Sequence, residues 1–155
     1  QRRYLYCIVG ENFMETLKKG TTPQQLMDII NQQNHFMLYN GIRLTTLTKE
    51  TAVASFTVNE NSYNIAGNVH GGALLTLADS AAGSLARAAG SGRYVSSSGN
   101  LNFIRGVAAG KITATASLLH GGRTTSVISV DVTDEQNVLL AQGTFTLFRL
   151  GDWED

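Results

Sequence analysis

One acidic side chain, Asp79, stands in a stretch of sequence that is otherwise almost free of charge. Between His70 and Ala89 the only other charged side chain is that of Arg87. A helix this apolar is usually buried, and a buried carboxylate is unfavourable unless it is hydrogen-bonded, paired or used in chemistry. We therefore expect Asp79 to be buried, either as a structural acid satisfied by serine hydroxyls or backbone groups, or as a functional acid able to serve as a general base or as a nucleophile.

A Gly-Gly pair opens the same helix and could stabilise an oxyanion. The first turn of a helix offers free backbone N–H groups and the positive end of the macrodipole. Gly71 and Gly72 carry no side chains that would block a substrate carbonyl, so the Gly71 N–H is a natural oxyanion donor. Gly71 and Asp79 are nevertheless eight residues apart, or roughly 12 Å along one helix. One reacting carbon can contact both only if they come from different chains. We therefore expect antiparallel helices in a symmetric dimer with two shared sites.

The elements that must position these groups can be read from hydrophobic periodicity and turn signals. Thr22-Pro23 is typical of a helix start, with Thr22 as N-cap, and that helix should end near Asn34. A second helix is predicted over residues 71–89, ended by Gly90. Alternating apolar positions predict strands elsewhere. The expected strands are residues 42–48, 51–58, 94–105, 111–119, 124–133 and 138–148.

This order of elements predicts an α+β fold. A helix that is apolar on most sides needs more cover than one flat sheet face provides. A curved antiparallel β-sheet wrapped around one long central helix would supply that cover. The small residues Ala81, Ala82 and Gly83 are expected to let two such helices approach each other in a dimer.

Composition narrows the classes of function. The chain has 155 residues, of which 43% are apolar and only 15% charged, so we expect self-association to cover part of the surface. The net charge is zero, which gives a nucleic-acid role little support. The one cysteine cannot form a disulfide within the chain and fits a reducing compartment, so a cytoplasmic location is predicted. No apolar run reaches the roughly 18 residues of a membrane helix, and we expect no membrane association.

The motif Asn64…His70-Gly71-Gly72…Asp79 resembles the hotdog-fold acyl-CoA thioesterases, and in particular their phenylacetate-degradation (PaaI-type) branch. The stretches 100–105 and 119–123 are also similar to that branch. The resemblance divides the chain into an N-terminal extension with a short helix, residues 1–34, and a single hotdog thioesterase domain, residues 35–150.

Membership in this family implies hydrolysis of acyl-CoA thioesters to the free acid and coenzyme A. No cofactor is implied, since coenzyme A is part of the substrate, and the subunits are expected to form a homodimer or homotetramer. The resemblance assigns Asn64 to the thioester carbonyl or the attacking water, and Ser96 to a water near Asp79. An asparagine in such a loop can instead be a turn residue, and a serine can bond to nearby backbone. For His70 we favour a hydrogen bond to local backbone over direct proton transfer.

The rest of the substrate should meet cationic and apolar groups. Coenzyme A carries phosphates, which favour cationic partners at the pocket mouth. The acyl end is expected in an apolar gap between helices. No carboxylates are spaced like a ligand set, so no metal site is expected. The candidates for the phosphates are Arg105, His120 and Arg123, and those for the acyl group are Leu74, Leu75 and Ala78.

Other functions stay open on the sequence alone. A hotdog acyl-thioester dehydratase or hydratase would need a histidine paired with an acid, and His70 with a partner's Asp79 could imitate that pair. A non-catalytic acyl-CoA binding module is a second alternative, although residues 1–40 hold too little for a helix-turn-helix output domain. A purely structural dimer is the third, and the lone acid in the helix argues against it.

Overall fold

Helices and strands account for most of residues 17 to 153, the part of the chain that the computed structural model describes. The helices are α1 (Pro23–Gln33), α2 (His35–Tyr39) and α3 (Gly71–Gly90). The strands are β1 (Arg43–Leu47), β2 (Thr51–Thr57), β3 (Gly92–Phe103), β4 (Lys111–Gly121), β5 (Thr125–Thr133) and β6 (Leu139–Asp152). A short 3-10 turn, Glu60–Ser62, lies in the loop before α3. The first half of the predicted N-terminal extension, residues 1–16, lies outside the described residues.

The leading helix forms as the sequence predicts. The Thr22 hydroxyl accepts a hydrogen bond from the Gln25 amide at 3.2 Å, and the Gln25 side chain accepts one from the Thr22 amide at 2.9 Å, which is a complete capping box. The helix ends at Gln33, and Asn34 then caps α2 by accepting from the Met37 amide at 3.2 Å. The sequence reading missed α2, because five residues are too few to show helical periodicity.

The leading helix α1 is joined to the rest of the fold. Leu26 and Ile30 are buried in the common core. The Asn31 side chain forms hydrogen bonds of 2.9 Å with both the N–H and the C=O of Leu44 on β1. Two helical segments therefore lie fixed over the surface of the domain, and they form one wall of the site described below.

All strand pairs in the six-stranded sheet are antiparallel, in the order β1-β2-β4-β5-β6-β3. Strand β3, which follows α3 in the chain, thus lies at one edge and pairs only with β6 within the described sheet. Strand β6 runs to Asp152 rather than ending at Phe148 as expected, because it follows β3 as far as Gly92.

The long helix α3 contacts every strand of the sheet. Leu77 and Leu85 on α3 are completely buried, as are Ile128 and Val130 at the centre of the sheet. Burying one such side chain is worth about 1.5–3 kcal/mol, so this contact is the main source of cohesion in the domain. The α+β arrangement of a sheet around one central helix is confirmed.

The small residues of α3 do not have the role expected of them. Ala81 and Ala82 are completely buried within the single chain, where they bring the helix close to its own sheet. They cannot also form a contact between two helices of a dimer. Gly83 is buried as well, and a Cβ atom there would lie 3.0 Å from Nη1 of Arg87. The expectation of helix–helix packing through these three residues was therefore wrong.

None of the helices in residues 17 to 153 has the length and apolar character needed to span a membrane.

Candidate active site

Asp79 lies in the middle of α3 beside β3. Its Oδ1 accepts a hydrogen bond of 2.6 Å from the Ser96 hydroxyl, so the structure brings together two residues that the sequence proposed separately. The carboxylate is partly exposed rather than buried as expected. The reason is that it faces a cavity between α3 and the α1–α2 segment, next to Ser96 on the edge strand β3. A partly exposed carboxylate with an aligned donor can act on a bound molecule.

A β-bulge aims Ser96 at this carboxylate. Ser96 pairs with Leu147 and Ser98 pairs with Thr146, which leaves Ser97 as an extra residue. The Ser97 hydroxyl donates to the Thr146 carbonyl at 3.0 Å. A bulge bends the strand locally and redirects side chains. A run of three serines gives no sign of where the bulge falls, so the sequence could not predict it.

The start of α3 has the features expected of an anion-stabilising site. His70 is the N-cap, and its Nδ1 accepts a hydrogen bond of 2.9 Å from the Gly72 amide. The predicted role of His70 in holding the Gly-Gly turn is therefore confirmed at the level of this hydrogen bond. The Gly71 N–H has no acceptor among the described residues. This free amide and the helix dipole both favour negative charge at the same point.

Asn64 is a turn residue whose side chain keeps a donor group without an acceptor. Its Oδ1 accepts hydrogen bonds from the amides of Ala66 (2.9 Å) and Asn68 (3.2 Å), as in an Asx turn. Its NH2 group has no acceptor in the described part of the chain. The turn thus occupies the Oδ1 acceptor and leaves the NH2 group available, and an NH2 group can donate a hydrogen bond to a carbonyl oxygen.

Arg87 is a polar group near the site to which the sequence reading gave no role. Its guanidinium donates to the carbonyls of Gly83 (2.8 Å) and Tyr94 (2.9 Å). Burial lowers the pKa of Arg87, and the nearby Asp79 carboxylate partly opposes this by raising it. An arginine keeps its charge at neutral pH even so. The signal in the sequence was its place two turns after Asp79 in a helix with no other charge.

The two groups of candidate residues are separate within one chain. Asp79 and Ser96 lie at mid-helix, whereas Asn64, His70 and Gly71 surround the helix start. Eight residues of helix place these groups roughly 12 Å apart. Within one chain the candidate residues therefore form two separate groups.

The cationic candidates for the coenzyme are separated too. Arg105 follows Phe103, which pairs with Ala141 at one end of the sheet. His120 and Arg123 lie beside Gly121, at the other end. All three side chains are exposed. Gly121 lies level with Ser96 on β3, because Gly121 pairs with Ser126, Ser126 with Leu147 and Leu147 with Ser96. The stretch of β3 from Ser96 to Phe103 spans roughly 20 Å, so within one chain the three candidates do not form a single cluster.

The expected position of the acyl gap also needs correction. Leu74 and Ala78 are 4% and 0% exposed, because both pack into the core of their own chain. Of the three proposed residues only Leu75 is accessible, at 40%. A cavity of about 250 Å³ lies beside Asp79, between α3 and the α1–α2 segment.

Among residues 17 to 153 there is no group of three histidine, cysteine or acidic side chains placed to hold a metal ion.

The sequence of the chain is similar to those of known proteins. Residues 66–141 match the family model of the thioesterase superfamily. The chain is 33% identical over 110 residues to the acyl-coenzyme A thioesterase PaaI of Escherichia coli, covering 70% of this chain and 74% of that protein. It is 32% identical over 107 residues to the 1,4-dihydroxy-2-naphthoyl-CoA hydrolase of Listeria monocytogenes, covering 64% of this chain and 83% of that protein.

The fold is shared with a solved structure over nearly the whole chain. The PaaI protein from the phenylacetic acid degradation operon of Escherichia coli superposes with a TM-score of 0.80 at 23% identity, covering 93% of this chain and 100% of that chain. That coverage extends beyond the residues of the family model. From its sequence matches and this hotdog fold, the chain belongs to the thioesterase superfamily.

Proposed function

We propose that this protein hydrolyses acyl-CoA thioesters to the free acid and coenzyme A. The observation that carries the proposal is the pair of half-sites: a carboxylate with an aligned serine donor, and a helix start with an unused amide N–H. Both are what hydrolysis of a thioester requires, namely activation of the attacking oxygen and stabilisation of the oxyanion. The names of two relatives, a thioesterase and a hydrolase of coenzyme A esters, support the substrate class.

The proposed mechanism places the thioester carbonyl at the start of α3. Its oxygen accepts from the Gly71 N–H and from the Asn64 NH2 group. Asp79 then either takes a proton from water as the water attacks, or attacks the carbonyl carbon itself. In the first route the tetrahedral intermediate collapses to the free acid as the C–S bond breaks, and the departing thiolate takes up the proton that Asp79 had accepted. In the second route the C–S bond breaks to leave an anhydride between the acyl group and Asp79. Water then hydrolyses this anhydride, which releases the free acid, restores the Asp79 carboxylate and supplies the proton for the thiolate. Ser96 holds the Asp79 carboxylate in position throughout.

The two half-sites of this mechanism come from different subunits in a symmetric dimer. Strand β3 supports such a dimer because it is twelve residues long and lies at the edge of the sheet. Its backbone groups on one side are open to a further strand. Val95 and Phe103 on this strand are 43% and 58% exposed, which is typical of a surface that a second copy covers. Pairing of dimers into tetramers is part of the same expectation.

The first test is release of free thiol from a panel of acyl-CoA thioesters by the parent and by Asp79→Asn. We expect turnover by the parent and a loss of at least about a hundredfold in the variant, on the order of 2.7 kcal/mol of barrier. Tight binding of the panel without any turnover would instead indicate a binding module. Water loss from a 3-hydroxyacyl thioester without thiol release would indicate a dehydratase.

The shared site is tested by mixing two inactive variants. Asp79→Asn and Asn64→Ala remove different half-sites, so each homodimer lacks both complete sites. Mixed dimers contain one intact site, and an equal mixture after subunit exchange should recover about a quarter of the parent activity in a two-fold symmetric dimer. No recovery in a mixture that has exchanged subunits would show that each site is built from one chain.

A further inference from the structure

The cavity beside Asp79 has one apolar and one polar wall. Its volume is about 250 Å³. The α1–α2 segment contributes Ile30, Phe36 and Met37, and α3 contributes Asp79 and Arg87. A group attached to a carbonyl that reacts at Asp79 would extend into this space. The cavity therefore lies where the acyl part of a substrate has to go.

The guanidinium of Arg87 lines this cavity, and only some of its N–H groups donate hydrogen bonds within the chain. Two of its N–H groups donate to the carbonyls of Gly83 and Tyr94, and a guanidinium has five N–H donors. The ion pair found among residues 17 to 153 is that of Arg149 with Asp152, so in this part of the chain no carboxylate is in direct contact with Arg87. Asp79 influences Arg87 only through space. A desolvated guanidinium with spare donors is a strong partner for a carboxylate.

The helix sets the distance between the reacting group and this cation. The hydrogen bond to the Gly83 carbonyl keeps the guanidinium near the level of Gly83, four residues after Asp79, which is roughly 6 Å along the helix axis. Gly83 leaves room for it, since a Cβ atom there would lie 3.0 Å from Nη1 of Arg87. The methylene chain of a short dicarboxylic acid such as glutaric or adipic acid covers this distance.

A second donor lies on the opposite wall. Asn34 also lines the cavity, and its Oδ1 accepts from the Met37 amide at 3.2 Å. The NH2 group of Asn34 has no acceptor among the described residues. An acceptor at the far end of an acyl chain would therefore meet donors from both walls, while its methylene groups contact Ile30 and Met37.

We propose that Arg87 selects acyl groups that end in a carboxylate, so that the preferred substrates are coenzyme A monothioesters of short dicarboxylic acids. This specificity rests on the proposed thioester hydrolysis. A carboxylate suits the site better than a hydroxyl, because the planar guanidinium can donate two parallel hydrogen bonds to it. Placed at Arg87, it is also held one helical turn away from the like charge of Asp79.

The test compares two acyl-CoA substrates of equal chain length, adipyl-CoA and hexanoyl-CoA, which differ in the terminal carboxylate. We expect the parent to show a kcat/KM at least about tenfold higher for adipyl-CoA, because its terminal carboxylate forms charge-assisted hydrogen bonds with Arg87 that the methyl end of hexanoyl-CoA does not form. Arg87→Met should lower this ratio to about one or below. Arg87→Lys keeps the positive charge but cannot donate two parallel hydrogen bonds, so it should give an intermediate ratio. Arg43→Met, a matched change at an exposed position on β1, should leave the ratio unaltered.

The ratio separates specificity from structure. If Arg87 only ties α3 to β3, Arg87→Met lowers the activity on both substrates by the same factor, and the proposal is wrong. It is also wrong if the parent prefers hexanoyl-CoA, or if a hydroxyl-terminated acyl-CoA is preferred to adipyl-CoA.

A binding measurement keeps the proposal independent of turnover. Thioether analogues of the two substrates cannot be hydrolysed, and calorimetry gives their affinities for the parent and for Arg87→Met. If the parent binds the carboxylate analogue more tightly than the other analogue and Arg87→Met does not, the selectivity is supported. This holds even if no thioester is hydrolysed, a result that would overturn only the proposed hydrolysis. Hydrolysis of both thioesters with equal affinity for both analogues leaves the hydrolysis standing and overturns the selectivity.

Discussion

The hydrogen bond from Ser96 to Asp79 offers a direct test of how the acid is positioned. We predict that Ser96→Ala lowers kcat/KM for thioester hydrolysis by about tenfold. The bond is short, at 2.6 Å, and a hydrogen bond to a charged group is worth about 1.5–3 kcal/mol. Ser96 is exposed and Asp79 half-buried, so the lower end of this range applies, and about 1.4 kcal/mol corresponds to tenfold in rate.

The neighbouring Ser97 is the matched control for this change. Its hydroxyl bonds to the Thr146 carbonyl and not to Asp79. Ser97→Ala removes the same atoms from the same bulge and should leave kcat/KM within about twofold of the parent. Both variants should change the free energy of unfolding, measured by urea denaturation, by less than about 1.5 kcal/mol. Equal losses of activity in the two variants, or full activity in Ser96→Ala, would refute the positioning role of Ser96.

Three further predictions concern stability and the helix start. Replacing the cap in His70→Ala should lower the free energy of unfolding by about 1 kcal/mol, whereas His70→Asn, which can still cap, should restore most of it in urea titrations. Gly71→Ala should lower thiol release at least about tenfold, because the new methyl group meets the Phe103 ring at 3.0 Å and has to displace either that ring or the Gly71 N–H from the proposed oxyanion position. Asn31→Ala should lower the midpoint of thermal unfolding by several degrees, since it leaves the backbone N–H and C=O of buried Leu44 unsatisfied at a cost of about 1–3 kcal/mol.

The fold could be predicted because its main signals are local. Thr22-Pro23 marks the start of α1, the Gly-Gly pair marks that of α3, and the alternating residues of β5 mark a strand buried on one face. The curved sheet was predicted from one argument: an apolar helix of twenty residues has to be shielded from water on most of its sides. Helix α2 was missed because five residues are too few to show helical periodicity, and the end of β6 was missed because it depends on pairing with the distant strand β3.

The sequence identified candidate residues but not their geometry. Asp79 was selected because a charge is unexpected in an apolar helix, but the same argument wrongly predicted full burial. The face of α3 that carries Asp79 lies toward the edge strand β3 and the α1–α2 segment, and no periodicity in residues 71–90 identifies what lies opposite that face. For the same reason Arg87 was left without a role. Its partners are backbone carbonyls, which leave no trace in a sequence.

The groups proposed for the chemistry and the wall proposed for acyl specificity lie in different parts of this chain. The proposed catalytic groups on α3 and β3 lie within residues 66–141, which match the family model, and Asn64 stands just before them. The wall of the cavity beside Asp79 comes instead from α1 and α2, which lie outside that match. Helix α1 is anchored by Asn31 and by the buried Ile30. Other side chains of this wall can therefore be substituted without moving Asp79 or the start of α3. The opposite wall, which includes Asp79 and Arg87, lies on α3 inside the matched residues. Under the proposed specificity, the acyl preference depends on which side chains of the leading helices lie opposite the Arg87 cation.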